Sequence, residues 1–316
     1  MSQPSAFKSQ SVRYYSTSGV GKVSLDPWYV TGFSDGEGCF LLAINKHKRF
    51  KLGYSLGAIF QIHLHSRDLA LLEMIKSYFG VGKIFVEKNG SIQYKVSSIK
   101  DLRVIVDHFD RYPLVTCKWA DYILFRQGVE LMERKAHLSV EGLKEFLALK
   151  ASINWGLSES LLAAFPDIVA VARPRKNPVI PSSNWWLSGL IDAEGCFMIK
   201  KVDSQSKGQR IHVFFQITQH VRDVNLMENI TKFLDCGRLY EYREGVDLRV
   251  TKILDVTEKI IPLLEEYPLQ GVKLKDYLYF KEIAILIKNK EHLAPEGVDK
   301  IKLLKLKMDD LKPKNK

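Results

Sequence analysis

The sequence predicts an α+β protein made of two copies of one α-β-β-α-β-β-α unit, and three observations predict it. Residues 28–40 read WYVTGFSDGEGCF and residues 185–197 read WWLSGLIDAEGCF, matching at Gly32/Gly189, Asp35/Asp192, Glu37/Glu194, Gly38/Gly195, Cys39/Cys196 and Phe40/Phe197. The likeness continues downstream: FQIHLHSRD (60–68) answers FQITQHVRD (215–223), YPLVTCKWADYILF (112–125) answers YPLQGVKLKDYLYF (267–280), and KAHLSVEG (135–142) answers KEHLAPEG (290–297). The offset is 157 residues at the acids and about 155 later, so the halves differ by small loop insertions. Within each half, the apolar period also switches between that of a helix and that of a strand.

Each unit opens on a helix. Asp26 before Pro27 supplies an N-cap and a proline at the first helical position, and Ser182 or Ser183 serves the second half. These helices run to about Asp35 and Asp192. Gly32 and Gly189 sit inside them, each at a cost of about 1 kcal/mol relative to alanine. Their recurrence at one place points to close approach of two helix backbones.

Strands follow. Leu56, Ala58, Phe60, Ile62 and Leu64 alternate on one face, with Ser55, Gln61 and His63 on the other. In the second half Ile211, Val213, Phe215 and Ile217 lie inward, and Arg210, His212, Gln216 and Thr218 outward. Asn89-Gly90 marks a tight hairpin. After it Ile92, Tyr94 and Val96 face inward and Ser91, Gln93, Lys95 and Ser97 outward; DLRVT (247–251) repeats this with Arg249 outward. Helices close the units at about 100–110 and 119–135, and again near 255–266 and 274–290.

The expected organisation is a disordered or transit-like leader (1–24), a first unit (25–149), a linker (150–184), a second unit (185–300), and a terminal helix with a basic tail (301–316). The linker contains RPRKNPVIPSS (173–183), whose three prolines disfavour regular structure. A tethered duplication implies a monomer that is a pseudo-dimer about an approximate two-fold axis.

The formal net charge of +11 points to a polyanionic partner, with nucleic acid ahead of an anionic membrane surface. No stretch reaches the ~18 apolar residues of a membrane helix. Cys39, Cys117, Cys196 and Cys236 form no CxxC pair and suit neither zinc nor a disulfide framework, so reduced, buried thiols are expected. There is no P-loop and no EF-hand loop. The outward strand faces hold Gln, Arg, Lys, His, Ser and Thr with few acids, and these types contact base edges and phosphates. Basic tips at NKHKRFK (45–51), with Lys46, Lys48 and Arg49, and at KKVDSQSKGQR (200–210) extend the same surface, as do Lys83 and Arg238.

Glu37 and Glu194 end two equivalent helices, where the helix dipole is negative. Two acids converging there repel unless a cation lies between them. A divalent ion suits carboxylate and carbonyl oxygens, and can activate water and stabilise a leaving oxygen in phosphodiester hydrolysis.

VTGFSDGEG and LSGLIDAEG resemble the paired motifs of LAGLIDADG homing endonucleases in their single-chain form, and the flanking strands and helices resemble the type encoded in fungal mitochondrial introns. The resemblance covers about residues 25–310. It implies two LAGLIDADG units forming a saddle, with the motif helices at the centre and antiparallel sheets in the DNA major groove. It implies that Glu37 and Glu194 hold Mg²⁺, with the carbonyls of Gly36 and Ala193 as further ligands. Each acid would serve one strand, giving a staggered double-strand break, and the type implies a location in the mitochondrion. Lys118 and Lys273 map onto the family's active-site lysines, and Gln219 onto a polar residue that orders water. The repeat partner of Gln219 is Leu64, which implies unequal halves. Arg67 and Arg222 are expected near the same phosphates, and Asp35 and Asp192 are expected to be structural. The alternative reading is a maturase that binds group I intron RNA on the same fold; intact acids in both motifs favour the nuclease.

Overall fold

In the computed structural model, which describes residues 24–311 except 205–207 and only the backbone of 201–210, Asp26 caps the first helix by accepting Trp28 N–H at 2.8 Å. The first unit runs α1 (Pro27–Glu37), β1 (Gly38–Lys46), β2 (Tyr54–His65), α2 (Leu69–Phe79), β3 (Lys83–Val86), β4 (Ser91–Val96), α3 (Ile99–Arg111), α4 (Lys118–Glu133) and α5 (Val140–Ala151). A short α6 (Glu159–Ala164) leads to the second unit: α7 (Asn184–Glu194), β5 (Gly195–Ser204), β6 (Gly208–His220), α8 (Val224–Leu234), β7 (Arg238–Tyr242) and β8 (Gly245–Val250). Then come α9 (Ile253–Asp255), a wider π-turn at Val256–Ile260, α10 (Ile261–Glu266), α11 (Lys273–Lys288) and α12 (Pro295–Asp310). Each unit carries the expected order and adds helices after it. The expected leader lies outside the described residues except for Ser24, as does the tail beyond 311.

The two sheets are antiparallel, ordered β1-β2-β4-β3 and β5-β6-β8-β7. Their registers match: Phe40 pairs Phe60 and Phe60 pairs Val96, while Phe197 pairs Phe215 and Phe215 pairs Val250. One face of each sheet is buried under helices. Phe40, Phe60, Phe109, Tyr122 and Phe125 pack ring to ring in the first core, and Phe197, Phe215, Tyr277 and Phe280 do so in the second. The other face carries matched rows: Cys39, Gln61, Lys95 and Lys83 in one sheet, and Cys196, Gln216, Arg249 and Arg238 in the other.

The sheets are joined through α1 and α7, which cross at their glycines. A Cβ on Gly32 would lie 1.9 Å from the Trp186 carbonyl oxygen, and one on Gly189 would lie 2.2 Å from that of Tyr29. No other residue permits that approach. Seven consecutive residues of each helix, Tyr29–Asp35 and Trp186–Asp192, are buried, as befits helices enclosed on every side.

The stretch expected as an irregular tether is only partly so. Residues up to Ala151 complete α5, and α6 places Leu161 against Leu143 and Leu147, beside Ile44, Leu52, Tyr54 and Leu56 of the β1–β2 hairpin. The proline-rich segment is strapped down: Arg173 donates to Asp121 at 2.7 Å, Lys176 to the Leu114 carbonyl at 2.8 Å, and Asn229 to the Pro178 carbonyl at 3.0 Å. The boundary expected at 300 falls inside α12, because Ile301, Leu304 and Met308 belong to the second core.

Candidate active site and nucleic-acid interface

Both motif helices end at their glutamates, and the chain turns at once into a strand through extended Gly38 and Gly195. The crossing brings the two ends together. A Cβ on Gly36 would fall 2.3 Å from Ala193 Cβ and 3.4 Å from Glu194 Oε1, so the second unit's carboxylate lies over the end of the first unit's helix. Burial, then the charge of Glu194, push the Glu37 carboxyl above its ordinary value, while Lys118 and Lys273 pull it down. Burial also raises Glu194, opposed by Lys118, Lys273 and the Gln219 amide. Gln219 Nε2 is buried and closes no full hydrogen bond, so its effect on Glu194 comes from proximity.

Two lysines complete a symmetric set. Lys118 donates to the Gly36 carbonyl at 2.6 Å and the Ser34 carbonyl at 3.3 Å; Lys273 donates to the Ala193 carbonyl at 2.9 Å and the Ile191 carbonyl at 3.4 Å. Burial lowers both ammonium pKa values, and the surrounding carboxylates resist that shift. Each lysine is the first residue of its helix.

The outer acids hold the framework. Asp35 accepts from Val115 N–H, Thr116 N–H, Thr116 Oγ1 and, across the axis, Trp186 Nε1 at 2.8 Å. Asp192 accepts from Gln270 and Gly271 N–H and, across the axis, Tyr29 Oη, each at 2.7 Å. Burial nonetheless raises both carboxyls. Neither acid has reason to serve as a ligand.

A cavity of about 430 Å³ opens beside Glu194, lined among others by Gly36, Lys118, Gln219, Arg222 and Tyr242. Among the described residues no cluster of three or more His, Cys, Asp or Glu side chains forms a ready metal cage. The donors present are two mutually repelling carboxylates and two carbonyl oxygens. They fit a hard divalent ion whose remaining ligands are water and a phosphate, the usual manner for Mg²⁺. The Gly36 and Ala193 carbonyls each already accept from an ammonium, leaving one lone pair apiece.

The outward faces hold most of the predicted contact residues. Lys83, Arg238, His63 and His212 are exposed, and Gln61, Gln93, Lys95, Thr218 and Arg249 are half-exposed. Lys48 and Arg49 stand on the exposed β1–β2 tip, and Arg222 is exposed at the cavity rim. Four expectations need adjustment. Lys46 has the register of Phe40 and Leu42, so it falls on the core-facing side at the strand's solvent end. Gln216 points outward but is buried, because Arg249 and Thr218 cover it. Arg67 is exposed, but its guanidinium donates to the Leu311 carbonyl at 3.1 Å. Arg210 lies in β6, and its side chain is outside the described residues.

The sequence reading missed three acids. Asp68 and Asp223 accept the backbone N–H of Val272 and Cys117, each at the start of the other unit's lysine helix. Their signal was the Arg-Asp pair that closes both FQI repeats. Asp247 is buried on the outward face. Against the expectation of buried thiols, only Cys236 is fully buried; Cys39, Cys117 and Cys196 are half-buried.

The family profile described as LAGLIDADG endonuclease matches residues 30–129 and 187–284. A relative named probable intron-encoded endonuclease 2, from Neurospora crassa, is 40% identical over 296 residues, covering 89% of this chain and 64% of its own length. Probable intron-encoded endonuclease 3 of the same fungus is 38% identical, covering 94% of this chain and 56% of its own length. This chain therefore spans roughly three-fifths of the curated relatives it matches. Among solved structures, I-SmaMI bound to an uncleaved DNA target in the presence of calcium ions superposes with a TM-score of 0.88 at 40% identity, covering 90% of this chain and 99% of that one. The LAGLIDADG homing endonuclease I-SmaMI bound to cleaved DNA gives 0.87 at 40% identity, covering 89% of this chain and 96% of that one.

Proposed function

Since this chain belongs to the LAGLIDADG endonuclease family, we propose that it is a site-specific endonuclease that makes a staggered double-strand break in a long, asymmetric DNA target. One observation carries the reading: two carboxylates at crossed helix ends, each flanked by a lysine anchored on the preceding carbonyl. This arrangement serves two phosphodiester bonds, one per strand. The matched outward sheet faces would supply the groove contacts, and I-SmaMI, seen with uncleaved and with cleaved DNA, supports DNA as the ligand.

Glu37 and Glu194, with the Gly36 and Ala193 carbonyls, would hold Mg²⁺ against the scissile phosphates. When bound, such an ion would supply activation of water and charge neutralisation at a leaving oxygen. Lys118 and Lys273 place fixed positive charge beside the phosphates, where the water-poor site strengthens it. Gln219 orients water on the second unit's side; Leu64 gives the first unit no equivalent, so the two strands are cut at different rates. We read it as a monomer that acts in the mitochondrion and promotes mobility of its intron; its relatives are named as intron-encoded, and one relative is named a mitochondrial protein. No specific observation favours the maturase: both acid–lysine sets are intact, and RNA binding does not require them.

The test is cleavage of a randomised double-stranded DNA library with Mg²⁺, with Ca²⁺ as a binding-only control and Glu37→Gln alongside. Cutting confined to one long site and absent in the variant supports the proposal. Binding without cutting by the wild type would make it a regulator. Binding only to structured intron RNA would make it a maturase.

A further inference from the structure

Arg249 is held by one edge of its guanidinium and leaves the other open. Its Nε donates to Gln216 Oε1 at 2.9 Å, and its Nη2 donates to Asp247 Oδ2 at 2.6 Å. Nε and Nη2 share the side edge of the group. The terminal edge, with one hydrogen of Nη1 and the second of Nη2, keeps its two donors for a ligand. The plane is fixed as well, because the guanidinium carbon lies 4.9 Å from the Tyr240 ring centroid. Asp247 is itself fixed by Thr218 Oγ1 at 2.8 Å and Tyr242 Oη at 3.4 Å, and Gln216 by its own bond to Thr218. The network is closed, and it lies on the outward face, with Arg249 still 38% exposed.

The opposite sheet has no such device. Lys95 occupies the matching place, and Gln61 there bonds Gln93 instead. A lysine is a point charge on a flexible stem, whereas an arginine clamped along one edge is a directional two-donor fork.

We propose that Arg249 reads a guanine in the major groove of the target half bound by the second unit, with Asp247 as the positioning residue that sets its plane. The proposal rests on the DNA-cleaving reading above and adds a base. Guanine alone presents two adjacent acceptors, O6 and N7, to a two-donor edge; adenine pairs one acceptor with a donor, and the pyrimidines offer one polar atom each. The fork lies in the first outward row after the motif helix, the row of Cys196 and Gln216, so the guanine falls in the inner part of the half-site. The same network explains an otherwise costly acid on a phosphate-facing surface: Asp247 is neutralised by Arg249 and hidden from the DNA.

The experiment compares wild type, Arg249→Lys and Asp247→Asn on the library-selected target and on every single-base variant of it. The wild type should require guanine at one inner position. Arg249→Lys should relax that preference by roughly ten- to hundred-fold and leave other positions unchanged. Asp247→Asn should relax the same position while total binding to the relaxed targets persists. A uniform change across all targets in Arg249→Lys, with the guanine preference intact, would mean a phosphate contact and overturn the proposal. So would an unchanged preference in Asp247→Asn; should that variant fail to fold, Arg249→Lys, which keeps the charge, decides alone. A wild type that cuts no duplex defeats the endonuclease reading itself, a different outcome from cutting with no guanine requirement.

Discussion

Asp223 of the second unit accepts the backbone N–H of Cys117 at 2.7 Å, and so caps the helix that carries Lys118 in the first unit. Asp68 of the first unit caps the Lys273 helix in return, accepting Val272 N–H at 3.3 Å. Each lysine helix is therefore held at its start by the opposite half. Asp223→Ala should cost about 1 kcal/mol of stability, the ordinary worth of a cap. Asp223→Ala and Asp68→Ala should also slow opposite strands, so that each accumulates nicked DNA with the nick on a different strand. Strand-specific end labels read this directly. Equal slowing of both strands in each variant would reduce the caps to stability alone.

The lysines invite a separation of binding from catalysis. Lys118→Met or Lys273→Met keeps the stem and removes the charge. Cleavage of one strand should fall by about 100-fold, the usual cost of one preorganised donor at a reacting oxygen. Affinity in Ca²⁺ should change little, because one cation among many phosphate contacts is lost. A large fall in affinity with cleavage of bound DNA unchanged would move these lysines from the chemistry to the docking surface.

Much of this was legible because duplication let each half annotate the other. Gly32 and Gly189, the two acid pairs and the two lysines each recur at one place, and recurrence separates a role from tolerance. What escaped depended on the other unit or on partners across a sheet. The caps made by Asp68 and Asp223 bridge residues 204 and 106 apart in sequence, and no period or motif encodes that. Asp247 has the parity of a groove-facing residue, and only the packed network shows that Arg249, Thr218 and Tyr242 neutralise it. Lys46 stands exposed at the tip end of β1, and strand parity places it on the side of Phe40 and Leu42. The α6 helix was hidden because its apolar residues have no repeat partner and answer to a hairpin surface far back in the chain.

The helix crossing makes a prediction about stability. Gly32→Ala puts a methyl carbon 1.9 Å from a backbone oxygen that cannot swing aside, and Gly189→Ala meets Tyr29 O at 2.2 Å and Phe33 N at 2.7 Å. Alanine should add about 1 kcal/mol of helix propensity, yet overpacking at such distances costs roughly 1–3 kcal/mol or more. Net destabilisation is expected in both variants, read as a lower urea midpoint with cleavage of both strands lost together. A higher midpoint would mean the helices do not approach this closely.

His108 links stability to pH. Thr31 Oγ1 gives its proton to the Tyr112 carbonyl at 2.9 Å, so at 3.1 Å from His108 it must accept from Nε2–H. Nδ1 then accepts from Tyr78 Oη at 3.1 Å, and the neutral ring is satisfied on both sides. Burial, aided by Arg111, depresses the imidazole to about 3. The unfolded chain binds a proton near the ordinary histidine value of about 6.5 and the folded chain does not, so stability must rise with pH between those values. The contribution is full above about pH 6.5 and is lost progressively on acidification toward pH 3. Between pH 6.5 and pH 5 the loss is about 2 kcal/mol. The raised carboxyls of Asp35 and Asp192 act in the opposite sense, favouring the folded state at low pH. The histidine is therefore isolated by comparison with His108→Gln, which keeps a polar side chain and cannot titrate. Urea midpoints taken from pH 7 to pH 5 should fall more steeply in the wild type than in the variant, and parallel curves would mean that the folded protein takes up the proton at His108 after all.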